Sequence, residues 1–328
     1  MTETLVLAGD VGGTKTNLAV FTSELGRPPL AQASFVSREH AGLEEMAAKF
    51  LSGAGLKVQR AAFGVAGPVF DGRAQLTKLS WGVDARAIKK ALGLEAVTVV
   101  NDLVATAGGI EVLNDADLLN LNPAARPVER GPRAVIAPGT GLGEAMMFWD
   151  GQRYQAQATE GGHALFSPAS REQLALVEFL FATQGAVSFD LLASGRGLPL
   201  LYEFIKERGG FPRSFWLDEA GRDDLAPAIT QAALDHGNPL CLATLKLFVE
   251  ILAVEARNLA LKSLSTGGVF VGGGIPPRMP AIFRDAFRPA FVGPSGPMRE
   301  LLAAMPVWLI ANPHTALLGA ARLAKEAP

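Results

Sequence analysis

Where glycine falls along this chain limits its fold more than any other sequence feature. Glycine takes 36 of 328 positions, well above the roughly 7% that is ordinary, and the excess is gathered rather than spread. GDVGG at 9–13, PGTGLG at 138–143, EGGH at 160–163 and VGGGIP at 271–276 each follow a short strand-like run. Glycine after a strand permits positive φ and lets backbone N–H groups approach a ligand closely. Several such turns in one chain point to loops that close around anions, phosphate groups above all.

Length and charge narrow the class. At roughly 100–200 residues per domain, 328 residues give two domains or one large one. Thirty Lys and Arg stand against 32 Asp and Glu, a formal charge of −2, so there is no basic excess to hold a polyanion, and nucleic acid is excluded as a main partner. A hydrophobic share of 49% with 19% charged residues excludes a disordered chain. The single cysteine, Cys241, precludes an internal disulfide and a multi-thiolate zinc site, which fits a reducing compartment. MTETLVLAGD carries no basic leader. The long apolar segment from Leu240 to Leu264 is interrupted by Lys246, Glu250, Glu255 and Arg257, short of the roughly 18 apolar residues a membrane span needs. A soluble cytoplasmic protein without membrane contact is expected.

Periodicity places the turns. Leu5–Ala8 and Asn17–Phe21 flank the first glycine turn as strands, with Gln32–Val36 a third, an antiparallel meander. Leu43–Leu51 has helical spacing, Arg60–Val65 reads as a strand, Asp84–Leu92 as a helix behind an Asp cap, and Val97–Val100 as another strand. This order implies a mixed sheet with helices on its faces. After a loop at 120–132, Ala134–Ala137 and Glu144–Trp149 repeat the pattern of strand, glycine turn, strand, which suggests internal duplication. Glu172–Thr183 is helical, and Asn238-Pro239 caps a helix running to Leu264. Val269–Val271 is a short strand, and Thr315–Lys325 a final helix that returns to the N-terminal sheet.

Taken from the residues alone, the candidate sites have two readings each. GDVGGTKT at 9–16 is a near miss to the P-loop, with Thr14 where the second glycine should stand and a strand, not a helix, behind it. It is either a plain hairpin or a cradle in which backbone amides hold phosphates, Thr14 or Lys15 touches them, and Asp10 holds Mg²⁺ through water. Asn101-Asp102 is either a helix N-cap or a catalytic pair. Glu160 and His163 are either solvated loop residues or an acceptor and donor bracketing vicinal hydroxyls.

LAGDVGGTKTNLAVF, VVNDLVATA, VIAPGTGLGEA and GGVFVGGGIPPR, with EGGHALFSP and SGRGL between them, appear in the order and near the spacing of the sugar-kinase branch of the hexokinase, Hsp70 and actin superfamily. Over essentially its whole length the chain resembles the bacterial glucokinases that lack the ROK zinc motif. The resemblance implies an α/β, two-domain actin-like ATPase (ribonuclease H-like) fold, each domain a mixed sheet flanked by helices with an active-site cleft between them. It implies domains of 1–108 plus 313–328 and of 109–312, a homodimer, and ATP-dependent phosphorylation of D-glucose at its 6-hydroxyl with Mg²⁺. Asp102 is then the general base, ionised at a helix N-terminus, and Asn101, Glu160, His163 and Asp190 bind the sugar, with Gly67 shaping the adjoining loop. The nucleotide falls to Gly9, Asp10, Val11, Gly12, Gly13, Thr14 and Lys15, to Gly139, Thr140 and Gly141, and to Gly272, Gly273 and Gly274 against adenosine.

Two positions depart from the family's pattern. Asp190 stands where a Glu usually grips the anomeric hydroxyl, and the missing methylene withdraws the carboxylate by about 1.5 Å, which implies a weaker sugar contact; a cap near Ser188 is the other reading. Lys78 stands where Asn is usual, and is either a sugar donor or a solvated loop lysine. Another hexose acceptor (mannose, fructose or an N-acetylated sugar), another phosphoryl donor, and an actin- or Hsp70-like ATPase remain open alternatives.

Overall fold

The computed structural model describes residues 4–22, 24, 28–76, 79–211 and 225–326. It divides into two compact units, residues 1–117 with 156–158 and 312–328, and residues 118–155 with 159–311.

In the first unit β1 (Leu5–Val11), β2 (Lys15–Thr22) and β3 (Ala31–Val36) form the antiparallel meander. Past α1 (Leu43–Ala54) the chain adds β4 (Arg60–Val65) parallel to β1, then a small hairpin of β5 (Arg73–Gln75) and β6 (Gly82–Asp84). It continues through α2 (Ala85–Leu92) into β7 (Ala96–Asn101), parallel to β4, and then α3 (Asp102–Ile110). Asp84 caps α2 by accepting from the N–H groups of Arg86 and Ala87. The sheet order is β3-β2-β1-β4-β7. Alternation along β1 divides the core: Leu7 and Val11 pack with Leu18, Phe63 and the α1 residues Leu43, Met46 and Phe50, while Val6 and Ala8 face the other side with Ala19, Phe21 and Ala62.

The second unit opens with β8 (Leu118–Asn120), β9 (Arg133–Pro138), β10 (Leu142–Trp149) and β11 (Tyr154–Thr159). There follow α4 (Arg171–Gln184), α5 (Phe189–Leu192), α6 (Gly197–Arg208), α7 (Leu225–His236) and α8 (Pro239–Ser263). The unit closes with β12 (Gly268–Val271), α9 (Pro280–Val292), α10 (Arg299–Ala304) and β13 (Val307–Ile310). The sheet order is β11-β10-β9-β12-β13-β8, with β12 parallel to both β9 and β13. Leaving aside the added edge strand β8, this is the strand order of the first sheet, so the duplication suggested by the repeated glycine hairpins extends to the whole topology. α8 is capped as its sequence predicts, Asn238 Oδ1 accepting from the Cys241 N–H at 3.1 Å, and lies deep in the core. Against it α9 sets Phe283, Phe287 and Phe291, stacked 5.8 and 6.0 Å apart. Among the described residues no helix is long and apolar enough to cross a membrane.

α11 (Thr315–Glu326) belongs to the first unit and covers the Val6–Ala8 face of its sheet through Leu317, Leu318, Ala320, Ala321 and Ala324. It also lies directly on α3. A Cβ at Gly319 would collide with the carbonyl oxygen of Ala105, and one at Gly109 with that of Thr315. Two helices this close need glycine at the crossing, and the contact fixes the helix that begins at Asp102. Gly319→Val should therefore destabilise the protein by about 3 kcal/mol, the upper end of overpacking costs. Urea unfolding measures it, and an unchanged midpoint would show that α3 and α11 do not touch there.

Candidate active site

Because β1, β4 and β7 are parallel, their carboxyl ends share one edge, where Val11, Val65 and Asn101 stand in register. Each leads into a predicted site element: the first glycine hairpin, the Gly67 turn, and Asp102. Loops at the carboxyl edge of parallel strands are where open α/β sheets bind ligands. β1 and β7 are two strand spacings apart, roughly 10 Å.

In the hairpin the Gly12 N–H donates to the Lys15 carbonyl at 3.0 Å, closing a turn over Gly13 and Thr14, and Thr14 and Lys15 are exposed. Ser37 supports this turn. Its Oγ donates to the Gly12 carbonyl at 2.7 Å, its N–H donates to the Thr14 carbonyl at 3.0 Å, and its Oγ lies 3.0 Å from Thr16 Oγ1. Two carbonyls of the loop are thus engaged before any ligand arrives. No sequence pattern pointed to Ser37, which lies 25 positions from Gly12. Gly9 and Val11 are buried inside β1, and Phe63 fills the space a Gly9 side chain would need. Asp10 is half-buried; burial raises its carboxyl above its ordinary value, opposed by the Asn17 amide at 3.3 Å and by Lys15.

Asn101 caps α3. Its Oδ1 accepts from the Leu103 N–H at 2.8 Å while its Nδ2 donates to the Gly67 carbonyl at 3.1 Å. Gly67 has φ of +114°, a conformation glycine tolerates, so the cap and the Gly67 turn hold each other. Asp102 is half-buried in the first turn of α3, and its Oδ1 also accepts from Leu103 at 2.9 Å. Both predicted readings of Asn101-Asp102 thus describe one arrangement, a cap that also fixes a carboxylate at the sheet edge. Lys78 lies outside the described residues.

In the second unit the parallel strands β9 and β12 deliver Pro138 and Val271 to one edge. The Gly139 N–H donates to the Gly141 carbonyl at 2.8 Å, and the Gly272 N–H to the Ile136 carbonyl at 2.8 Å. Gly273, at φ +85°, packs so closely on the Pro138 carbonyl that a Cβ there would collide with it. The predicted adenosine loop of Gly272, Gly273 and Gly274 therefore abuts the hairpin of Gly139, Thr140 and Gly141. EGGH forms a single 3-10 turn, Gly161–His163, seated on β10: Gly162 lies against the Leu142 carbonyl and Gly161 against the Glu144 carboxyl. Glu160 and His163 are exposed, with Oε2 and Nε2 3.9 Å apart.

Asp190 joins these loops. Its Oδ1 accepts from the Leu142 N–H at 2.8 Å, its Oδ2 accepts from an Arg196 Nη at 2.5 Å, and that same oxygen lies 4.0 Å from His163 Nδ1. Only 7% exposed, it sits where a Cβ on Gly141 would touch it. Both oxygens of this carboxylate are engaged, and they hold the hairpin to Arg196. The cap beside it is Ser188, whose Oγ accepts from the Leu191 N–H at 3.2 Å.

Beneath EGGH lies a pair no motif disclosed. Glu144 of β10 and Glu255 of α8 are 2% and 0% exposed, and each carboxyl shifts the other's titration. Burial first, and then the neighbouring Glu255, push Glu144 up to about 8, with Lys262 opposing. Glu255 is raised too, again by burial, although Asn258 Nδ2 donates to it at 2.9 Å.

The family model for glucokinase matches residues 7–327. A glucokinase from Nostoc punctiforme is 36% identical over 336 residues, spanning 97% of this chain and 98% of the relative. Among solved structures, a glucokinase from an Antarctic psychrotroph superposes with a TM-score of 0.84 at 27% identity, over 98% of this chain and 99% of that one. The glucokinase of Balamuthia mandrillaris, solved in complex with glucose, shares the fold at a TM-score of 0.78 and 20% identity, over 98% of this chain and 94% of that one. The two units with their mixed, helix-flanked sheets are those of the two-domain sugar kinases of actin-like ATPase fold. A family match across nearly the whole chain, and a relative above 30% identity over nearly all of both lengths, establish that the chain belongs to the glucokinase family.

Proposed function

We propose that the chain transfers the γ-phosphoryl group of ATP to the 6-hydroxyl of D-glucose. The observation that carries this reading is the glucokinase family match over residues 7–327, and the placement of the loops supports it. Asp102 accepts the proton of the 6-hydroxyl, the freed oxygen bonds to the γ-phosphorus, and the bond to the β-phosphate oxygen breaks, leaving ADP and glucose 6-phosphate. The transition state is loose, so the protein's work is chiefly positioning and charge neutralisation. Backbone amides of Gly13 and Thr14 and of Thr140 and Gly141 serve the phosphates, those of Gly12 and Gly139 being spent on closing their own turns; Gly272–Gly274 borders adenosine, and Asn101, Glu160 and His163 bind sugar hydroxyls.

Asp10 suits Mg²⁺. Burial disfavours its bare anion, which a cation restores, and one carboxylate together with phosphate oxygens and water is a usual Mg²⁺ set. Among the described residues no cluster of three His, Cys, Asp or Glu side chains competes for a metal. Held there by Asp10, such an ion would supply neutralisation of charge on the phosphate oxygens.

A coupled ADP-release assay over glucose, mannose, fructose and N-acetylglucosamine tests the proposal. Glucose should exceed each other sugar in kcat/KM by at least about 10-fold, the discrimination expected where polar groups read hydroxyls. A higher value for another hexose would reassign the acceptor, and ATP turnover indifferent to sugar would favour an actin- or Hsp70-like ATPase.

A further inference from the structure

Arg196 belongs to the SGRGL segment, to which sequence alone gave no role. The turn that carries it is tied to the second glycine hairpin at two successive carbonyls and, through Asp190, at a third point. The Gly195 N–H donates to the Gly139 carbonyl at 2.9 Å, Arg196 Nε donates to the Thr140 carbonyl at 3.1 Å, and Asp190, held by Arg196, accepts from the Leu142 N–H at 2.8 Å. A guanidinium has five N–H donors in a rigid planar fork. Here the Thr140 carbonyl takes one donor and Asp190 Oδ2 another, yet the side chain stays 59% exposed. A long, flexible side chain has thus been fixed at the tip of a phosphate-binding turn with the rest of its fork open to solvent. Were Arg196 only a brace for Thr140, a neutral donor would serve. A permanent cation held in place by a buried carboxylate is the arrangement that recognises phosphate oxygens bidentately.

We propose that Arg196 contacts the terminal phosphoryl group of the nucleotide and that Asp190 is its positioning residue. This rests on the reading of the chain as an ATP-dependent glucose kinase and adds to it a donor contact made by a side chain. It also gives Asp190 a task at the phosphates beside the weakened sugar contact expected from its position. The guanidinium steadies negative charge on the γ-phosphate oxygens as the bond to ADP lengthens, and it neither gives up nor takes a proton.

The test compares Arg196→Ala and Arg196→Lys with the parent chain, titrating each with ADP and with the non-hydrolysable triphosphate AMPPNP and measuring turnover with glucose. In Arg196→Ala, AMPPNP affinity should fall roughly 10- to 100-fold, the worth of a charge-assisted hydrogen bond, while ADP affinity changes little; the unfolding midpoint falls, because the buried Asp190 carboxylate loses its cation, so affinities are compared well below that midpoint. Lysine should restore part of that loss, and added guanidinium ion should recover part of the turnover of Arg196→Ala. Equal weakening of ADP and AMPPNP, or no weakening of either, would overturn the proposal and leave Arg196 a brace. Absence of glucose-dependent turnover in the parent chain would instead overturn the kinase reading itself, so the two failures are distinguishable.

Discussion

Asp102→Asn should lower turnover by roughly 100- to 10,000-fold, the range that removal of a general base spans, while glucose binding and the unfolding midpoint stay near those of the parent. The substitution keeps the shape and an oxygen that can still accept from the Leu103 N–H, as Asp102 Oδ1 does at 2.9 Å. Asn101 continues to cap α3 and to hold the Gly67 carbonyl, and the glycine crossing of α3 with α11 is untouched. The negative charge and the proton acceptor are lost. A loose phosphoryl-transfer transition state makes the loss partial rather than total. Steady-state kinetics, a glucose titration by tryptophan fluorescence and urea unfolding together check this. A folded, glucose-binding variant with near-parental turnover would remove Asp102 from the chemistry.

The second large effect concerns stability and pH. Glu144 titrates near pH 8 in the folded chain against 4.5 for the ordinary side chain, so the folded state holds its proton more tightly than the unfolded state does. The stability tied to that proton is fully present below about pH 4.5, declines as pH rises, and is lost once pH passes about 8. At about 1.4 kcal/mol for each pH unit between those two values, the decline amounts to a few kcal/mol, and Glu255, raised as well, adds in the same direction. Glu144→Gln puts a neutral amide of the same shape beside Glu255 and lets it donate to that carboxylate. Its unfolding midpoint should therefore vary less between about pH 5 and pH 8, only the part owed to Glu255 remaining, and at about pH 8 the variant should exceed the parent by about 1–3 kcal/mol, since the charge on Glu144 is gone. Parallel midpoint-against-pH curves for the two proteins would show that Glu144 is not raised as described.

Why some of this could be read from sequence and some could not is itself physical. The hairpins were legible because two-residue alternation and glycine turns are local signals, and β4, the Asp84 and Asn238 caps and the return of α11 to the first sheet were legible for the same reason. β13, four residues of VWLI, and β11, an alternation weakened by alanine, carry too little local pattern to separate from loop. The candidate loops could be named one by one, but their company could not. Gly273 meets Pro138, Ser37 meets Gly12, and Leu142 and Arg196 claim the oxygens of Asp190, all through contacts between distant positions. Glu255 shows the limit best. In the sequence it is one of four charges breaking an apolar run, yet Lys246 is 66% exposed whereas Glu255 is fully buried. Its burial is offset by Asn258 and Lys262 of its own helix and then by Glu144, on a strand no helical pattern can indicate.

The most direct measurement is identification of the product. The full chain with ATP, Mg²⁺ and glucose, followed by proton and phosphorus NMR, should give one glucose 6-phosphate for each ADP, with little ADP formed when glucose is omitted. Phosphate on a different hydroxyl, or ADP released at the same rate without sugar, would contradict a kinase that sets Asp102 against the 6-hydroxyl of glucose.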